Sequence, residues 1–502
     1  MVHMARRKSL LVLAFLIGCP VNVALLVRAM PPQAQGGARI LAERAIGPTP
    51  MIDDLEELCD RIGGRPTGSK ACDRAVDWAV AKFRAAGVDS VWTETYTIPY
   101  LWKDGKVEAE CVAPEYFLLR LAACPSTAST PGGQVLEAPL RDAGMGSPED
   151  FARLGEKARG AVAFVHSDEL KTEGDLYKEY RRDGPMLAAA RRAGVAALLL
   201  QSSRPRGLLY RHPLDLGGLS PIPAAVVSRE QGGRLARLAE KGEVRIRLCL
   251  DHQIGGAFRA RNVVAEIRGR ERPEDIVLLG AHLDSWDLGT GADDNGVNAA
   301  MVIDVARGFK QLGLVPRRTV RFVLFTGEEQ GMLGSEAYTR QHAAEMARHV
   351  AMVTFDTGSG KTTGFYLNGR PELRKPLDEA LAAVGGLDAA NDTNTAIDGT
   401  DNFDFLLSGV PNLVAIQDWA PYLPNYHAES DVFDWVDKRE AQTNDALAAV
   451  LVWGLAESPG RPAPPQTRAQ VEELLKDTQL DEQMKALGQW DDWASGKRGI
   501  RK

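Results

Sequence analysis

The chain has 502 residues, of which 44% are hydrophobic and 25% are charged, and its formal net charge is −7. This length is too great for one small core, so two or three folding units are expected, and the composition is that of a soluble globular protein. Basic residues number 60 against 67 acidic ones, with no long basic stretch inside the body, which argues against nucleic-acid binding.

The first 35 residues differ from the rest and predict export. Three basic residues, 6–8, precede an apolar stretch that runs from Leu10 to Val27. This order is typical of a secretion signal. We expect an ordinary signal peptide or an uncleaved membrane anchor rather than lipidation at Cys19, because the apolar run continues past that cysteine. The protein is therefore expected outside the cytoplasm: secreted, periplasmic or membrane-anchored.

Five cysteines follow the signal segment: Cys59, Cys72, Cys111, Cys124 and Cys249. None forms a C-x-x-C pair, which argues against a cysteine zinc site. Export makes disulfides feasible, but the odd number leaves at least one thiol unpaired within the chain, and the pairing stays open.

Residues 36–106 and 107–257 show two different patterns. The first range predicts helices over 52–86, broken by the glycine-rich run 63–69, and then a strand over 91–97. The second range has a strand and helix rhythm of its own and predicts a compact domain inserted between two parts of another one. Its predicted strands are 161–165, 196–200, 222–227 and 244–250, and its predicted helices are 186–193 and 229–241.

Residues 258–458 alternate between apolar strands and helices. The predicted strands are 276–280, 320–325, 352–355 and 412–416, and the predicted helices are 298–312, 336–349, 375–384 and 439–453. Such alternation favours an α/β fold with a mostly parallel sheet that is flanked by helices on both faces.

Residues 459–502 form a proline-rich linker and a tail. The run 459–465 contains four prolines and predicts a stiff linker. The tail over 467–487 is charged and weakly amphipathic, and Trp490 and Trp493 follow it. We expect a helix packed on the body, with a partner-binding arm as the alternative.

Carboxylates and histidines follow the predicted strands of residues 258–458. These side chains belong to His282, Asp284, Asp294, Glu328, Glu329, Asp356 and His427. The carboxyl ends of strands in an open α/β sheet are where ligands bind. Carboxylate oxygen together with imidazole nitrogen suits a zinc-type ion. Each residue alone has an ordinary structural explanation, but their convergence at one sheet edge predicts a metal-dependent hydrolase.

Five motifs of the chain resemble those of the M28 zinc peptidases, a family of co-catalytic aminopeptidases and related carboxypeptidases, and in particular its carboxypeptidase Q group. The motifs are residues 65–69 (RPTGS), 282–287 (HLDSWD), 291–294 (GADD), 328–331 (EEQG) and 399–402 (GTDN). The likeness spans roughly residues 51–457 and implies the zinc exopeptidase fold, phosphorylase/hydrolase-like. Residues 107–257 resemble the protease-associated domain that is inserted in that group.

The resemblance implies two Zn²⁺ ions per chain and a peptide substrate. His282 and Asp356 would hold one ion, Glu329 and His427 the other, and Asp294 would bridge them. Glu328 would be the general base that takes a proton from water, and Asp284 would orient the imidazole of its neighbouring ligand. The region around Asp401 would line the substrate pocket, and Tyr426 could donate a hydrogen bond to an oxyanion or merely pack. Asn402 stands where the family often has histidine, which puts substrate contacts in doubt but not the metals.

Two other functions compete with a dinuclear exopeptidase. One is a non-catalytic, receptor-like or binding member of the fold, which would have lost ligands that are all present here. The other is a single-zinc acyl transferase of the glutaminyl cyclase type, which would not need His282 or Asp356 for a second ion. The sequence leaves open which peptide terminus is required, the side-chain preference, and whether the protein forms a homodimer or is anchored to a membrane through its N-terminal segment.

Overall fold

A computed structural model describes residues 32–215, 218–385 and 389–501. The predicted signal segment falls almost entirely on residues 1–31, which lie outside the described residues. Within the described ranges, no helix is long and apolar enough to cross a membrane.

Fifteen α-helices and fifteen strands are described, together with several single turns of other helix types. The helices are α1 (Pro32–Ile46), α2 (Met51–Glu57), α3 (Lys70–Ala86), α4 (Pro148–Leu154), α5 (Glu173–Ala193), α6 (Arg229–Ala239), α7 (Val297–Gln311), α8 (Leu333–Gln341), α9 (Arg374–Leu381), α10 (Asn402–Leu407), α11 (Trp419–Tyr422), α12 (Lys438–Glu457), α13 (Arg468–Asp477), α14 (Leu480–Ala486) and α15 (Trp490–Ser495). The strands are β1 (Ser90–Ile98), β2 (Leu101–Ala113), β3 (Phe117–Leu119), β4 (Leu121–Ala123), β5 (Leu136–Asp142), β6 (Val162–Val165), β7 (Ala197–Gln201), β8 (Ala224–Val227), β9 (Arg245–Gly255), β10 (Phe258–Ile267), β11 (Arg272–His282), β12 (Arg318–Phe325), β13 (His349–Thr354), β14 (Thr362–Tyr366) and β15 (Asn412–Gln417).

The first sheet has seven strands in the order β1-β10-β12-β11-β13-β15-β14. Its centre is parallel, since β12, β11, β13 and β15 all run in one direction. The pairs β1–β10, β10–β12 and β14–β15 are antiparallel. The prediction of a mostly parallel sheet therefore holds for the central strands, whereas the strands at both edges are antiparallel. The sequence pattern did not reveal β10 and β14, because polar residues interrupt β10 and β14 has only five residues.

Helices cover both faces of this sheet, as the alternating pattern predicted. Helices α1, α2, α3, α7 and α12 pack on one face, where side chains such as Val277, Leu279 and Phe322 are fully buried. Helices α8 and α10 cover part of the other face, where Leu278 and Val323 are buried. Because both faces are buried, the central strands are almost continuously apolar.

The second sheet is built from β2 to β9 and has eight strands in the order β3-β2-β9-β5-β6-β7-β8-β4. Strands β5, β6, β7 and β8 are parallel neighbours. Helix α6 packs on one face of this sheet, and α4 and α5 pack on the other. Helix α5 begins at Glu173, thirteen residues before the predicted start at 186. Its first half is polar, and a capping box between Thr172 and Asp175 fixes its N-terminus.

The C-terminal tail packs on the body as three short helices, α13 to α15. Their apolar residues Leu475, Met484 and Trp493 form one core with Phe403 and Leu407 of α10. The predicted packing of the tail is thus confirmed, although as three helices rather than one.

The five cysteines within the described ranges are all buried and free. No disulfide joins any two of them within the described ranges.

Candidate metal centre

The five predicted ligands lie together beyond the carboxyl ends of the parallel strands. They form two groups of three that share Asp294. The first is His282, Asp294 and Asp356, and the second is Asp294, Glu329 and His427. Within each group the candidate ligand atoms all lie within 4.8 Å of one another.

The first group is organised around His282, the last residue of β11. Its Nε2 lies 2.9 Å from Asp356 Oδ1 and 3.2 Å from Asp294 Oδ1. Its Nδ1 lies 3.0 Å from the backbone carbonyl of Asp284. A carbonyl oxygen can only accept a hydrogen bond, so Nδ1 carries a proton and Nε2 is the ring atom that faces the two carboxylates. Burial opposes the charged imidazole, but the neighbouring carboxylates outweigh it and raise the pKa of His282 well above its usual value.

The second group repeats this arrangement around His427. Its Nδ1 lies 3.2 Å from the carbonyl of Arg211, and its Nε2 lies 2.9 Å from Glu329 Oε2 and 3.4 Å from Asp294 Oδ2. Glu329 Oε1 and Asp294 Oδ2 are buried without a hydrogen-bond partner in the described structure. Two imidazole Nε2 atoms and several buried carboxylate oxygens thus face one another. This mixed set of nitrogen and oxygen ligands could hold metal ions, and its chemistry fits zinc.

Asp294 lies in a turn that other buried groups hold in place. The backbone N–H groups of Asp293 and Asp294 donate to the carboxylate of Asp431, at 2.7 and 3.2 Å. Gly291 precedes the turn with φ +64°, and a Cβ atom there would lie 2.2 Å from Ser285 Oγ. Both the conformation and the close approach therefore require glycine at this position.

Asp284 is fully buried, and its carboxylate organises the loop that carries the two glutamates. It accepts hydrogen bonds from Thr67 Oγ1 and from the backbone N–H of Gly327, both at 2.9 Å. The sequence predicted that Asp284 orients the imidazole of His282. Its backbone carbonyl makes that hydrogen bond, whereas its carboxylate Oδ1 lies 3.7 Å from Nδ1.

Glu328 lines the cavity beside the two groups, and its Oε2 lies 3.9 Å from His282 Nε2. Burial raises the pKa of Glu328 and that of Glu329 well above the usual value. Burial also lowers the pKa of His427 to about 4, so this imidazole is neutral at physiological pH. A neutral imidazole is the form that binds a metal.

A cavity of about 410 Å³ opens onto the two groups, and this volume lies in the usual range for small-ligand pockets. Its lining residues come from the first sheet, from helix α5 and from the C-terminal tail. Tyr426 lines it and stacks on the ring of His427 with a centroid distance of 3.7 Å. The hydroxyl of Tyr426 lies 2.9 Å from that of Tyr180, so it has a protein partner.

The loop just before Asp401 lines this cavity, whereas the Asp401 side chain does not. Gly399 and Thr400 line it, while Asp401 is fully buried at the start of α10. Asn402 is also fully buried and hydrogen-bonds to Ile397 and Asn412. The motif 399–402 thus contributes its first two residues to the cavity wall.

Arg65 is a supporting residue to which the sequence analysis gave no role. It is fully buried, and its guanidinium donates to the carbonyls of Leu283, Thr290 and Gly291. It thereby joins the loop after β11 to the turn that carries Asp294. Its position in the RPTGS motif was the one sequence feature that could have indicated this supporting role.

Comparison with known proteins gives a consistent picture. Residues 262–452 match the model of Peptidase family M28. Carboxypeptidase Q of Rattus norvegicus is 29% identical over 404 residues, which cover 80% of this chain and 84% of that protein. The family resemblance that the five motifs predicted is therefore confirmed.

Two solved structures share the fold. A peptidase M28 precursor from Shewanella amazonensis superposes with a TM-score of 0.77 at 28% identity, covering 87% of this chain and 99% of that one. BSAP, described as a zinc aminopeptidase from Bacillus subtilis, superposes with a TM-score of 0.66 at 21% identity, covering 83% and 97%. These structures confirm the predicted mixed α/β fold with helices around its sheets.

Proposed function

We propose that this chain, a metallopeptidase that carries a family M28 domain, is a dinuclear zinc exopeptidase that hydrolyses dipeptides or short peptides. The observation that carries the proposal is the pair of ligand groups sharing Asp294. Because Asp294 belongs to both histidine-centred groups, each group would offer three ligands to one of two ions.

Each ion would be held by side chains from different parts of the chain. His282 and Asp356 would hold one ion and Glu329 and His427 the other, with Asp294 between them. When bound, zinc ions supply Lewis-acid polarisation of a carbonyl and make water more acidic at neutral pH.

The chain's own residues supply the proton transfer. The Glu328 carboxylate borders the cavity and follows Gly327, whose N–H is fixed by Asp284. It would take a proton from the attacking water and deliver it to the leaving amine. Asp284 would act by positioning the loop of Glu328 and Glu329 rather than by touching substrate.

The second sheet would correspond to the inserted protease-associated domain that the sequence predicts over residues 107–257. It would shape access to the cavity without supplying a metal ligand. Helix α5 lines the cavity through Glu173, Tyr177 and Tyr180, among other residues. Both ligand groups that the described residues offer lie outside that range. Substrates would therefore reach the cavity between helix α5 and the residues that follow the strands of the first sheet.

Metal stoichiometry tests the dinuclear proposal. Elemental analysis of the zinc-loaded protein should approach two zinc ions per chain, and His282→Ala should reduce that number. A firm value of one, unaffected by His282→Ala, would reject the dinuclear centre and favour a single-zinc enzyme of the glutaminyl cyclase type.

A peptide panel tests the reaction and its specificity. The zinc-loaded protein is given dipeptides, longer peptides, and the same peptides blocked at the amino or carboxyl end. We expect hydrolysis to fail when one particular terminus is blocked. Failure with a blocked amino end would indicate an aminopeptidase, and failure with a blocked carboxyl end would indicate a carboxypeptidase. Absence of hydrolysis across the panel would favour a non-catalytic binding protein.

We also propose that the protein works outside the cytoplasm, because residues 1–35 contain three basic residues followed by an apolar stretch. Mass spectrometry of protein from its native host identifies the first residue. A start between residues 30 and 36 would indicate a cleaved signal, a lipid on Cys19 a lipoprotein, and an intact membrane-bound chain an anchor. Soluble cytoplasmic protein that retains residue 1 or 2 would contradict export.

A further inference from the structure

The C-terminal tail contributes a wall to the cavity that contains the metal ligands. Gln483 and Ala486 of α14, and Leu487 and Gln489 just after it, line the same cavity as His427. The tail lies beyond the segment 262–452 that matches the family model.

The tail is held firmly in this position. The Arg498 guanidinium forms two hydrogen bonds, at 2.8 and 2.9 Å, with the carboxylate of Asp404 on α10. Met484 of α14 packs in one core with Met332, which follows the loop of the two glutamates and also lines the cavity. The wall is therefore attached directly to the catalytic part of the chain.

The tail also contacts two further boundaries of the cavity. With its amide oriented to donate, Gln483 Nε2 lies 3.2 Å from both carboxylate oxygens of Asp398, another lining residue. A Cβ atom added at Gly184 of α5 would lie 3.6 Å from the carbonyl of Ala486. Helix α14 thus lies between the loop of Asp398 and the second sheet's helix α5.

Gln489 is the feature that points to a ligand. The residue is 9% exposed and lines the cavity, and its Oε1 is buried without a hydrogen-bond partner in the described structure. It precedes α15, yet its side chain does not cap that helix. A buried amide oxygen without a partner is costly, so a substrate N–H group that reached it would gain a hydrogen bond.

We propose that the C-terminal segment 467–501 is a specificity element of the peptidase. Gln489 accepts a hydrogen bond from an amide or ammonium N–H of the substrate, and Ala486 and Leu487 limit the length of peptide that the cavity admits. This inference rests on the proposed exopeptidase function, since it concerns substrates of the same cavity.

Gln489→Ala tests the contact in the zinc-loaded, full-length enzyme. We expect KM for a good dipeptide to rise on the order of tenfold while kcat changes little, because one substrate hydrogen bond is lost. Gln489→Asn should recover part of the KM. Glu482→Ala is the matched control, since Glu482 lies on α14 but is exposed and pairs with Lys485. Its KM should equal that of the parent enzyme.

Two changes of volume test the limit on length. Leu487→Ala enlarges the cavity and should raise kcat/KM for tetrapeptides relative to dipeptides. Ala486→Trp, at a position exposed to the cavity, should lower that ratio. Metal content and a melting curve verify that each variant is folded, and either variant alone decides the question if the other fails to fold.

The possible failures are distinguishable. An active parent enzyme whose KM and length preference are unchanged by Gln489→Ala, Leu487→Ala and Ala486→Trp would overturn this inference and leave the exopeptidase proposal intact. A zinc-loaded parent that hydrolyses no peptide in the panel would overturn the exopeptidase proposal itself.

Discussion

Neighbouring glutamates at the end of β12 have different surroundings, which suggests different roles. Glu329 Oε2 lies 2.9 Å from His427 Nε2, whereas Glu328 Oε2 lies 3.9 Å from the nearest histidine nitrogen of the first group, on His282. Consecutive residues in such a loop point in different directions. One carboxylate can therefore join the ligands while the other faces the cavity.

Glu328→Gln tests this division of roles. The amide keeps the size of the side chain but cannot take up a proton, and base catalysis contributes about 10²–10⁴-fold to rate. We expect a loss of kcat within that range with unchanged zinc content, measured on the best dipeptide of the panel. Glu329→Gln is the matched comparison and should lose zinc. Near-normal turnover of Glu328→Gln would remove Glu328 from the mechanism.

At the scale of elements, the second sheet supplies no ligand to the two groups, but the loop between its strands β7 and β8 positions one of the candidate ligands, His427. The backbone of residues 209–211 pairs with residues 427–429 through Arg211 N to His427 O, at 3.0 Å, and Glu429 N to Leu209 O, at 3.1 Å. The carbonyl of Arg211 then accepts the hydrogen bond of His427 Nδ1. Groups that orient a histidine ligand in this way tune its affinity for metal.

Arg211→Ala should therefore weaken one metal site selectively. The buried guanidinium binds Asp104 and Asp287 at 2.6 and 2.8 Å and holds the segment that pairs with His427. Loss of such support typically costs about 10–100-fold in metal affinity. Zinc titration should show one weakened and one unchanged site. Arg206→Ala, in the same loop but exposed, should leave both sites unchanged, and two unaltered sites in Arg211→Ala would contradict the role.

The end of helix α8 adds a pH-dependent contribution to stability. His342 Nε2 lies 2.8 Å from Glu94 Oε1 of β1, and its Nδ1 hydrogen-bonds to Glu345, which also pairs with Arg321. Burial by itself would lower the pKa of His342, but the hydrogen bonds to the two glutamates outweigh it and raise the pKa from 6.5 to about 9. A raised pKa in the folded state means that protonation stabilises the fold.

His342→Gln should reveal this contribution. The stabilisation is fully present below the unfolded pKa of 6.5 and is lost as pH rises through about 9. The difference in free energy of unfolding between the parent and the variant, from urea titrations, should be largest below pH 6.5 and shrink above 9. Arg340→Ala, which removes only an exposed pair with Glu336, serves as control. A difference that is constant with pH would contradict the assignment.

The sequence predicted the elements that contain long apolar runs and missed those that polar residues interrupt. Strands β11 and β12 could be predicted because each contains a run of apolar residues, 276–279 and 322–325, and the candidate ligands follow these runs. Strand β10 alternates with arginines, and the first half of α5 is polar, so hydrophobic periodicity could not reveal either. A motif likewise gives position along the chain but not the direction of a side chain: residues 399 and 400 line the cavity, whereas the Asp401 side chain is buried.

At the scale of the whole molecule, the candidate metal centre joins segments that are far apart in sequence. Its candidate ligands come from positions 282, 294, 329, 356 and 427, and most of them follow different strands. The charged groups of the site are mostly carboxylates, so without a cation their mutual repulsion opposes the folded arrangement. Metal binding and folding of the catalytic half should therefore be coupled.

Zinc removal should lower thermal stability in a reversible way. A ligand that binds only the folded state stabilises it by about 2.7 kcal/mol at a concentration one hundred times its Kd. We expect a chelator to lower Tm and added Zn²⁺ to restore it in a concentration-dependent manner. Mg²⁺ is the control, since it prefers oxygen ligands in octahedral geometry and should restore little. Asp294→Asn should abolish most of the zinc response because both groups share that residue. A Tm that changes with neither chelator nor zinc would mean that the two groups do not form a metal centre.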